Sequence, residues 1–387
     1  MDIALLSGAD KNAGDFLITK RAKSLLRFVH PEANVAQYKR NESLDAFVDE
    51  INKYDYLVFA GGPGYLSHAY PEKFPLVDNL DLLKPKFFAL GMGGYTRGSS
   101  ISGYVFSENT RKLLDRFEKD ELGLGCRDLL SQRLLKANGY TDTCFTGCPA
   151  WYDVEVIKRE RAGVASGRIP RVVHRIAISD PAVASNCIVA KKLVLSMGDL
   201  FPDAEMKFVF HRGWSADKHT DPALAQAQLK LRNWLEQNGI RCVDISYSAD
   251  GFTEYNDVDL HVGFRVHAHI YALSQRIPSF LIEEDGRGYG ANEALGLAHI
   301  GPLELSSARL LAGKIARRVN KEIGYPGRNA EKIAANMRKC IETESDLGYA
   351  SMDRAFRTMR DTFIKIPRVA NRAGPIPTLS CGNAHRS

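Results

Sequence analysis

Short apolar runs that alternate with glycine-rich turns and amphipathic stretches constrain this chain more than any other feature. Ile3–Leu6 leads into Ser7-Gly-Ala-Asp-Lys-Asn12-Ala-Gly14-Asp15, Tyr56–Ala60 into Gly61-Gly62-Pro63-Gly64, and Phe87–Leu90 into Gly91-Met-Gly93-Gly94. Glu121–Gly125 is followed by Cys126-Arg127-Asp128, and Thr143–Thr146 by Gly147-Cys148-Pro149. Strands alternating with helices predict a parallel, doubly wound α/β sheet. Ligands bind at the carboxyl edge of such a sheet, where glycine turns let backbone come close. The pattern lapses at Lys158–Arg168, a charged, aperiodic stretch that reads as a linker. It resumes with Arg175–Ile178, Lys207–Phe210, Arg241–Asp244, Leu260–Val262 and Ser279–Ile282, with a helical stretch at Ala223–Gln237. The expected fold is therefore two Rossmann-like domains, at 1–160 and 170–345, facing a cleft. Further helices are expected at Ser306–Glu322, Asn329–Glu344 and Ser351–Ile364, and a frayed tail from Pro367 onward closes the 346–387 segment.

The stretch richest in chemistry lies in the second half. Arg265-Val-His267-Ala-His269 follows the strand-like Asp259–Phe264 and opens the helix-like His269–Ser274. A strand-to-helix junction presents unpaired N–H groups and the positive end of the helix dipole to an anion. The arginine adds a planar fork for phosphate or carboxylate, and the histidine a proton that moves near neutral pH. One reading is a site that holds a small anion and does acid–base chemistry on it. The other is an arginine ion-paired inside a domain and a histidine capping a helix. None of the glycine turns carries the full dinucleotide fingerprint or a phosphate-loop lysine motif, so the turns alone imply no nucleotide.

Composition narrows the class. A chain of 387 residues with 44% hydrophobic and 25% charged content is an ordinary globular protein with material for two cores. No apolar run reaches the roughly 20 residues that cross a bilayer. Met1-Asp-Ile-Ala reads as a first strand and lacks the basic start of a signal peptide. Seven scattered cysteines suit reduced thiols in a cytoplasmic setting, and Cys144 and Cys148 lack partners spaced for zinc. The stretch Pro302–Ser387 holds 16 Lys/Arg and 8 Asp/Glu, more than the whole net charge of +6. That excess suits a phosphate-rich partner or peripheral contact with an anionic membrane, or simply a solvated helix face. It is too modest, and too poor in aromatic–basic platforms, to point to nucleic acid.

Taken together the motifs resemble those of the polysaccharide pyruvyl transferase family. Asn12-Ala-Gly14-Asp15, Gly61-Gly62-Pro63-Gly64, Cys126-Arg127-Asp128, Gly147-Cys148-Pro149-Ala150 and Gly263-Phe-Arg265-Val-His267 occur in family order over roughly residues 1–300. Pro63 departs from the pattern, standing where a third glycine is common. The resemblance implies a fold like that of GT-B glycosyltransferases. It also implies a transferase of exopolysaccharide or cell-envelope biosynthesis that uses phosphoenolpyruvate and a saccharide acceptor, free or lipid-linked. The product would be a cyclic pyruvate ketal, with release of phosphate. By the same resemblance Arg265 and His267 fall on the family's Arg-x-His motif, Arg127 on its first-half arginine and Asp15 on its N-terminal motif.

That chemistry sets the expected roles. The donor carries close to three negative charges, which Arg265 and Arg127 would hold together with a helix N-terminus. Gly62, Asn12 and Arg287 complete the expected binding set. His267 is the expected general acid if an anion keeps it protonated, and Asp15 the expected base, with His269 as the alternative base. No step calls for a metal or a redox cofactor. Asp15 has a second reading as the N-cap of the first helix, His269 as a structural residue and Cys148 as packing. Trp214, after a second-domain strand with His211 and Arg212, is either a sugar platform or core. Two rival functions stand beside this one. A nucleotide-sugar glycosyltransferase would want a ribose-binding carboxylate, for which Glu293 is placed, and a non-catalytic binder of anionic glycans would release no phosphate.

Overall fold

The computed structural model describes residues 1–95, 101, 103–120, 123–163, 172–301 and 327–370. The first half runs β1 (Asp2–Ser7), α1 (Ala13–Val29), β2 (Asn34–Lys39), α2 (Val48–Ile51), β3 (Tyr56–Ala60), β4 (Lys86–Leu90) and α3 (Glu108–Lys119). It closes with β5 (Leu124–Cys126), α4 (Leu129–Ala137), β6 (Thr143–Phe145) and α5 (Val154–Arg161). All pairings are parallel, in the order β2-β1-β3-β4. The β5–β6 pair continues that row through the parallel Met92–Cys126 bridge. Strand residues alternate between two buried faces: Val58 and Ala60 meet α1 and the second half, while Leu57 and Phe59 meet an aromatic cluster. There Phe59 lies 4.9 Å from Phe117 and 5.5 Å from Phe87, centroid to centroid. Both faces are covered, as a parallel sheet requires.

The second half runs β7 (Arg175–Ser179), α6 (Cys187–Leu200), β8 (Glu205–Phe210), α7 (Pro222–Gln237), β9 (Arg241–Asp244), β10 (Leu260–Gly263), α8 (Val266–Ser274), β11 (Ser279–Leu281) and α9 (Gly286–Leu295). Its five strands are parallel in the order β11-β10-β7-β8-β9, the doubly wound order whose switch point lies between β7 and β10. Two long helices follow, α10 (Gly327–Asp346) and α11 (Ala350–Ala370). The first packs along α6, and the second on α8 and α9. Phe363 of α11 also reaches the first half, 5.5 Å from the rings of both Phe28 and Tyr152. One continuous core therefore spans both halves.

Several expectations are revised. Lys158–Arg161 is not linker but the last turn of α5, which Asp153 caps through the N–H groups of Glu155 and Val156. Helix α11 runs past Pro367 to Ala370. Strand β2 had no sequence signal, because Asn34-Val-Ala-Gln-Tyr-Lys39 is an edge strand with mostly polar, exposed positions. Pro63 is accommodated because its flanking groups make the bonds: Gly93 N–H donates to the Gly62 carbonyl at 3.0 Å and Gly64 N–H to the Gly93 carbonyl at 2.9 Å. The expected helix Ser306–Glu322, part of Lys158–Arg168, most of the basic stretch and the tail beyond 370 lie outside the described residues.

The two carboxyl edges face each other and are held shut. Ala13 N–H at the start of α1 donates to the His211 carbonyl across the cleft at 3.0 Å. Tyr247 N–H donates to the Lys11 carbonyl at 2.8 Å. The buried Lys11 ammonium reaches Asp217 at 2.7 Å, and the Tyr247 hydroxyl donates to the same carboxylate at 2.6 Å. Nearby, Arg133 of α4 grips both oxygens of Glu293 on α9 at 2.7 and 2.8 Å.

Candidate active site

The turn carrying Arg265 and His267 is built from the inside out. Gly263 ends β10 at φ 143°, and a Cβ there would lie 2.6 Å from the backbone nitrogen of Ser179, so only glycine fits. The Ser179 hydroxyl accepts the N–H groups of Phe264 and Arg265, each at 3.1 Å. With both lone pairs committed, it donates its proton to His261 Nε2 at 3.1 Å. His261 Nδ1 then donates to the Ser279 hydroxyl at 2.6 Å, which donates to His269 Nδ1 at 2.7 Å. This buried chain fixes the tautomers by elimination. It also assigns His269: the ring lies in the core, its pKa pushed down by burial to about 3, and it supports the turn instead of reaching the cleft.

Arg265 stands before α8 with its fork filled. Asp180, at the end of β7, accepts from Nε at 2.7 Å and from Nη2 at 2.5 Å. Asp180 also accepts from the His211 N–H at 3.0 Å and from Gln228 at 2.8 Å. Burial works against the Arg265 charge, but Asp180 and then Glu284 outweigh it and hold the pKa above its ordinary value. Arg287 repeats the design. Asp285 caps α9 and accepts from Arg287 Nε at 2.9 Å and Nη2 at 2.6 Å, while the guanidinium lies over the Tyr95 ring at 5.1 Å. In the first half Arg127 donates from Nε to Asp128 at 2.9 Å and from Nη2 to the Gly94 carbonyl. Asp128 in turn caps α4 through Ser131 N–H at 2.7 Å. All three expected arginines are thus paired in advance, and none presents an empty fork.

Arg212, immediately after β8, is different. Its one described hydrogen bond runs from Nη1 to the His219 carbonyl at 2.9 Å, and among the described residues no carboxylate lies within ion-pair distance. Burial lowers its pKa, Arg265 and Arg287 lower it further, and Asp15 partly opposes them. It is therefore a cleft guanidinium with unspent charge. The sequence showed it only as a residue at the carboxyl edge of a strand.

His267 sits among these groups. It lines two small cavities, one of about 30 Å³ with Asn12, Arg265, Glu284 and Arg287, the other of about 20 Å³ with Arg127, Cys148 and Arg287. Each has room for about one water. The imidazole makes no hydrogen bond to a described residue. Gly14 of α1 packs on it, and a Cβ at Gly14 would run into the ring. Burial drives the His267 pKa down to about 4; Asp15 pulls upward, and Arg287, Arg127 and Arg265 push down. The unliganded imidazole is therefore neutral, and nothing at rest keeps it protonated.

Asp15 is not the helix cap, because Asn12 holds that position without a side-chain cap bond. The carboxylate lies in the first turn of α1, accepting from Asn12 Nδ2 at 3.1 Å. Asn12 Oδ1 is buried without a partner among the described residues, and Asn12 lines the larger cavity. Glu284 extends the site: it accepts Ala182 N–H at 2.8 Å and Asn186 Nδ2 at 2.6 Å, and burial, partly offset by Arg265, raises its pKa to about 7. Cys148 is buried with its thiol pushed up to about 11, which fits packing. Trp214 is no open sugar platform, since Arg232 lies 4.3 Å over its ring and Phe210 packs edge-on at 5.2 Å. Glu293 is spent on Arg133 and does not fit the ribose role. Gly62 serves as a seat for Arg40, whose guanidinium fills the space a Cβ would take.

The profile of a family described as polysaccharide pyruvyl transferase matches residues 12–286. No curated protein matches the chain by sequence. Among solved structures, UDP-GlcNAc 2-epimerase from Neisseria meningitidis bound to UDP-GlcNAc is similar at a TM-score of 0.46 and 12% identity, over 90% of this chain and all 100% of that one. MnaA of S. aureus with UDP gives 0.47 and 11%, over 86% and 90% of the two chains. The wall teichoic acid polymerase TagF gives 0.41 and 12%, over 95% and 89%.

Proposed function

From the premise that the chain belongs to the polysaccharide pyruvyl transferase family, we propose that it moves pyruvate from phosphoenolpyruvate to a pair of hydroxyls on a saccharide, forming a ketal. The observation that carries this is His267. It is an imidazole with no hydrogen bond to a described residue, set where arginines from both halves and Asp15 converge.

The donor's phosphate and carboxylate fit a site whose spare positive charge is Arg212, backed by the start of α8, which no side chain caps. Arg265, Arg127 and Arg287, already oriented by their aspartates, supply a field aimed at the donor without reorganising. The bound anion reverses the balance at His267 and raises its pKa, so the imidazole arrives protonated. It gives that proton to the donor's methylene carbon, leaving an oxocarbenium-like carbon beside the carboxylate. The first acceptor hydroxyl attacks that carbon and loses its proton to Asp15. The carbon–oxygen bond to phosphate breaks, inorganic phosphate leaves, and the second hydroxyl closes the ring and releases a proton. The cavities at rest are far smaller than this donor, so entry requires the halves to part at Lys11–Asp217 and Arg133–Glu293.

The test is phosphate release from phosphoenolpyruvate with a panel of sugars, followed by mass analysis of the acceptor. Phosphate and a ketal-bearing sugar support the reading. A product carrying a hexose from a nucleotide sugar would replace it.

A further inference from the structure

The first-half wall holds a basic side chain that the donor chemistry leaves unused. Arg40 follows β2 and lies across the start of two glycine turns. A Cβ on Gly8 or on Gly62 would run into its guanidinium. The one described hydrogen bond of the guanidinium is a long contact from Nη1 to the Gly61 carbonyl at 3.3 Å. Among the described residues no carboxylate lies within ion-pair distance. Asp10, in the turn beneath it, accepts instead from Asn41 at 3.0 Å. Arg127, Arg265 and Arg287 each have an aspartate; Arg40 has none.

Its position separates it from the donor. Arg40 lines neither cavity that holds His267 and is not among the charges that bear most on His267 or on Arg212, whereas Arg212 answers to Arg265, Asp15 and Arg287. The link between the two is the turn after β1. Gly8 at its start lies under Arg40, and Gly14 just past its end lies under His267. From Arg40 the wall continues through Gly62 and Gly93, joined by the Gly93 N–H to Gly62 carbonyl bond at 3.0 Å, and Gly93 lies against Arg127. Glycine backbone thus links the seat of Arg40 to that of Arg127, which shares the smaller cavity with His267. At rest these glycines are covered by Arg40, Arg127 and His267, so an acceptor sugar would lie along that row of side chains, with hydroxyls toward His267 and a charged substituent toward Arg40.

We infer that Arg40 is the binding residue for an anionic group, a carboxylate or phosphate ester, on the saccharide acceptor. The inference deepens the pyruvyl-transfer reading and rests on it for the word acceptor. Seating two glycines beneath the side chain fixes its fork, and an arginine fork suits either oxyanion.

The experiment measures binding without turnover, so it is independent of whether the donor reacts. Wild type, Arg40→Gln and Arg40→Lys are titrated with a glucuronic acid-terminated disaccharide, glucose 1-phosphate and neutral lactose, with melting curves as the fold control. Wild type is expected to favour at least one anionic probe over lactose by about tenfold or more, and the probe favoured tells carboxylate from phosphate. Arg40→Gln should erase the preference, a loss of about ten- to a hundredfold for a charge-assisted bond. Arg40→Lys should keep part of it. Affinity for phosphoenolpyruvate should stay unchanged in both variants. No preference in wild type, a preference kept in Arg40→Gln, or weakened phosphoenolpyruvate binding in that variant would overturn the inference. Wild type that binds as expected but releases no phosphate would instead overturn the proposed reaction.

Discussion

The two walls of the cleft solve opposite problems. The second-half wall is built of charge held in place: Arg265 on Asp180 and Arg287 on Asp285, with the Ser179–His261–Ser279–His269 chain bracing the turn behind. The first-half wall is built of space: Gly8, Gly14, Gly62 and Gly93 each leave out a side chain where another residue must lie. The difference shows why neither half would suffice. Paired arginines carry a desolvation cost that their aspartates offset, and they need not reorganise when charge develops. A glycine floor adds no charge but lets Arg40 and Arg127 lie close to the backbone and brings His267 against α1.

The sharpest way to break the contrast is to remove the one group at which the walls meet. His267→Gln should lower phosphate release by roughly 10²–10⁴-fold, the usual contribution of a positioned acid, with the melting temperature nearly unchanged. Turnover near wild type would take His267 out of the chemistry and leave the charged wall without its partner.

Next in size is the charged wall itself. Asp180 holds Arg265, the His211 backbone and Gln228. Asp180→Ala strands a buried guanidinium, so urea denaturation should show a loss of about 3–5 kcal/mol. A loss under about 1 kcal/mol would mean that Arg265 finds solvent or another anion, and that this wall is not preset.

The glycine wall should be weaker to perturb but more specific. Gly14→Ala replaces a helix glycine, which by propensity alone favours α1. Its Cβ would collide with His267, and a displacement of about 1 Å at a reacting group can cost ~10²-fold. Activity should therefore fall on that order while circular dichroism and thermal melts stay near wild type. Full activity would show that the contact at rest is not kept during turnover.

Sequence made the two walls unequally visible. Strand β3 was legible to the residue, because buried parallel strands are short apolar runs bounded by breakers. The Arg265-Val-His267 turn was legible because a strand, a glycine and a helix follow one another. What it could not show is pairing across distance. Asp180 lies 85 residues from Arg265, and Arg40 lies over Gly8 and Gly62 only because β2 and β3 both flank β1. Edge strand β2 lacked an apolar signal, so the element that carries Arg40 went unseen. Trp214 took the core reading of its two, and the ribose role of Glu293 failed for the same reason: Arg133, which occupies that carboxylate, comes from another helix.

The smallest expected effect is a proton, and it tests whether the charged wall waits for the donor. Below about pH 6.5 an unfolded histidine is protonated, whereas His267 in the fold stays neutral down to about 4 and His269 to about 3. Stability present above about pH 6.5 is therefore lost as the pH falls toward those values, because the unfolded chain binds more protons there. Donor binding acts in the other direction on His267 alone, raising its pKa, so at pH 6 the complex should take up a fraction of a proton that approaches one. Calorimetry in buffers of different ionisation enthalpy reads that uptake. The donor's own phosphate titration is common to wild type and His267→Gln, so their difference isolates the imidazole. Glu284, with a pKa of about 7, is already largely protonated at pH 6, and Glu284→Gln should leave the uptake in place. Equal uptake by wild type and His267→Gln would mean that the bound anion does not charge the imidazole, and the acid must then be sought elsewhere along the wall.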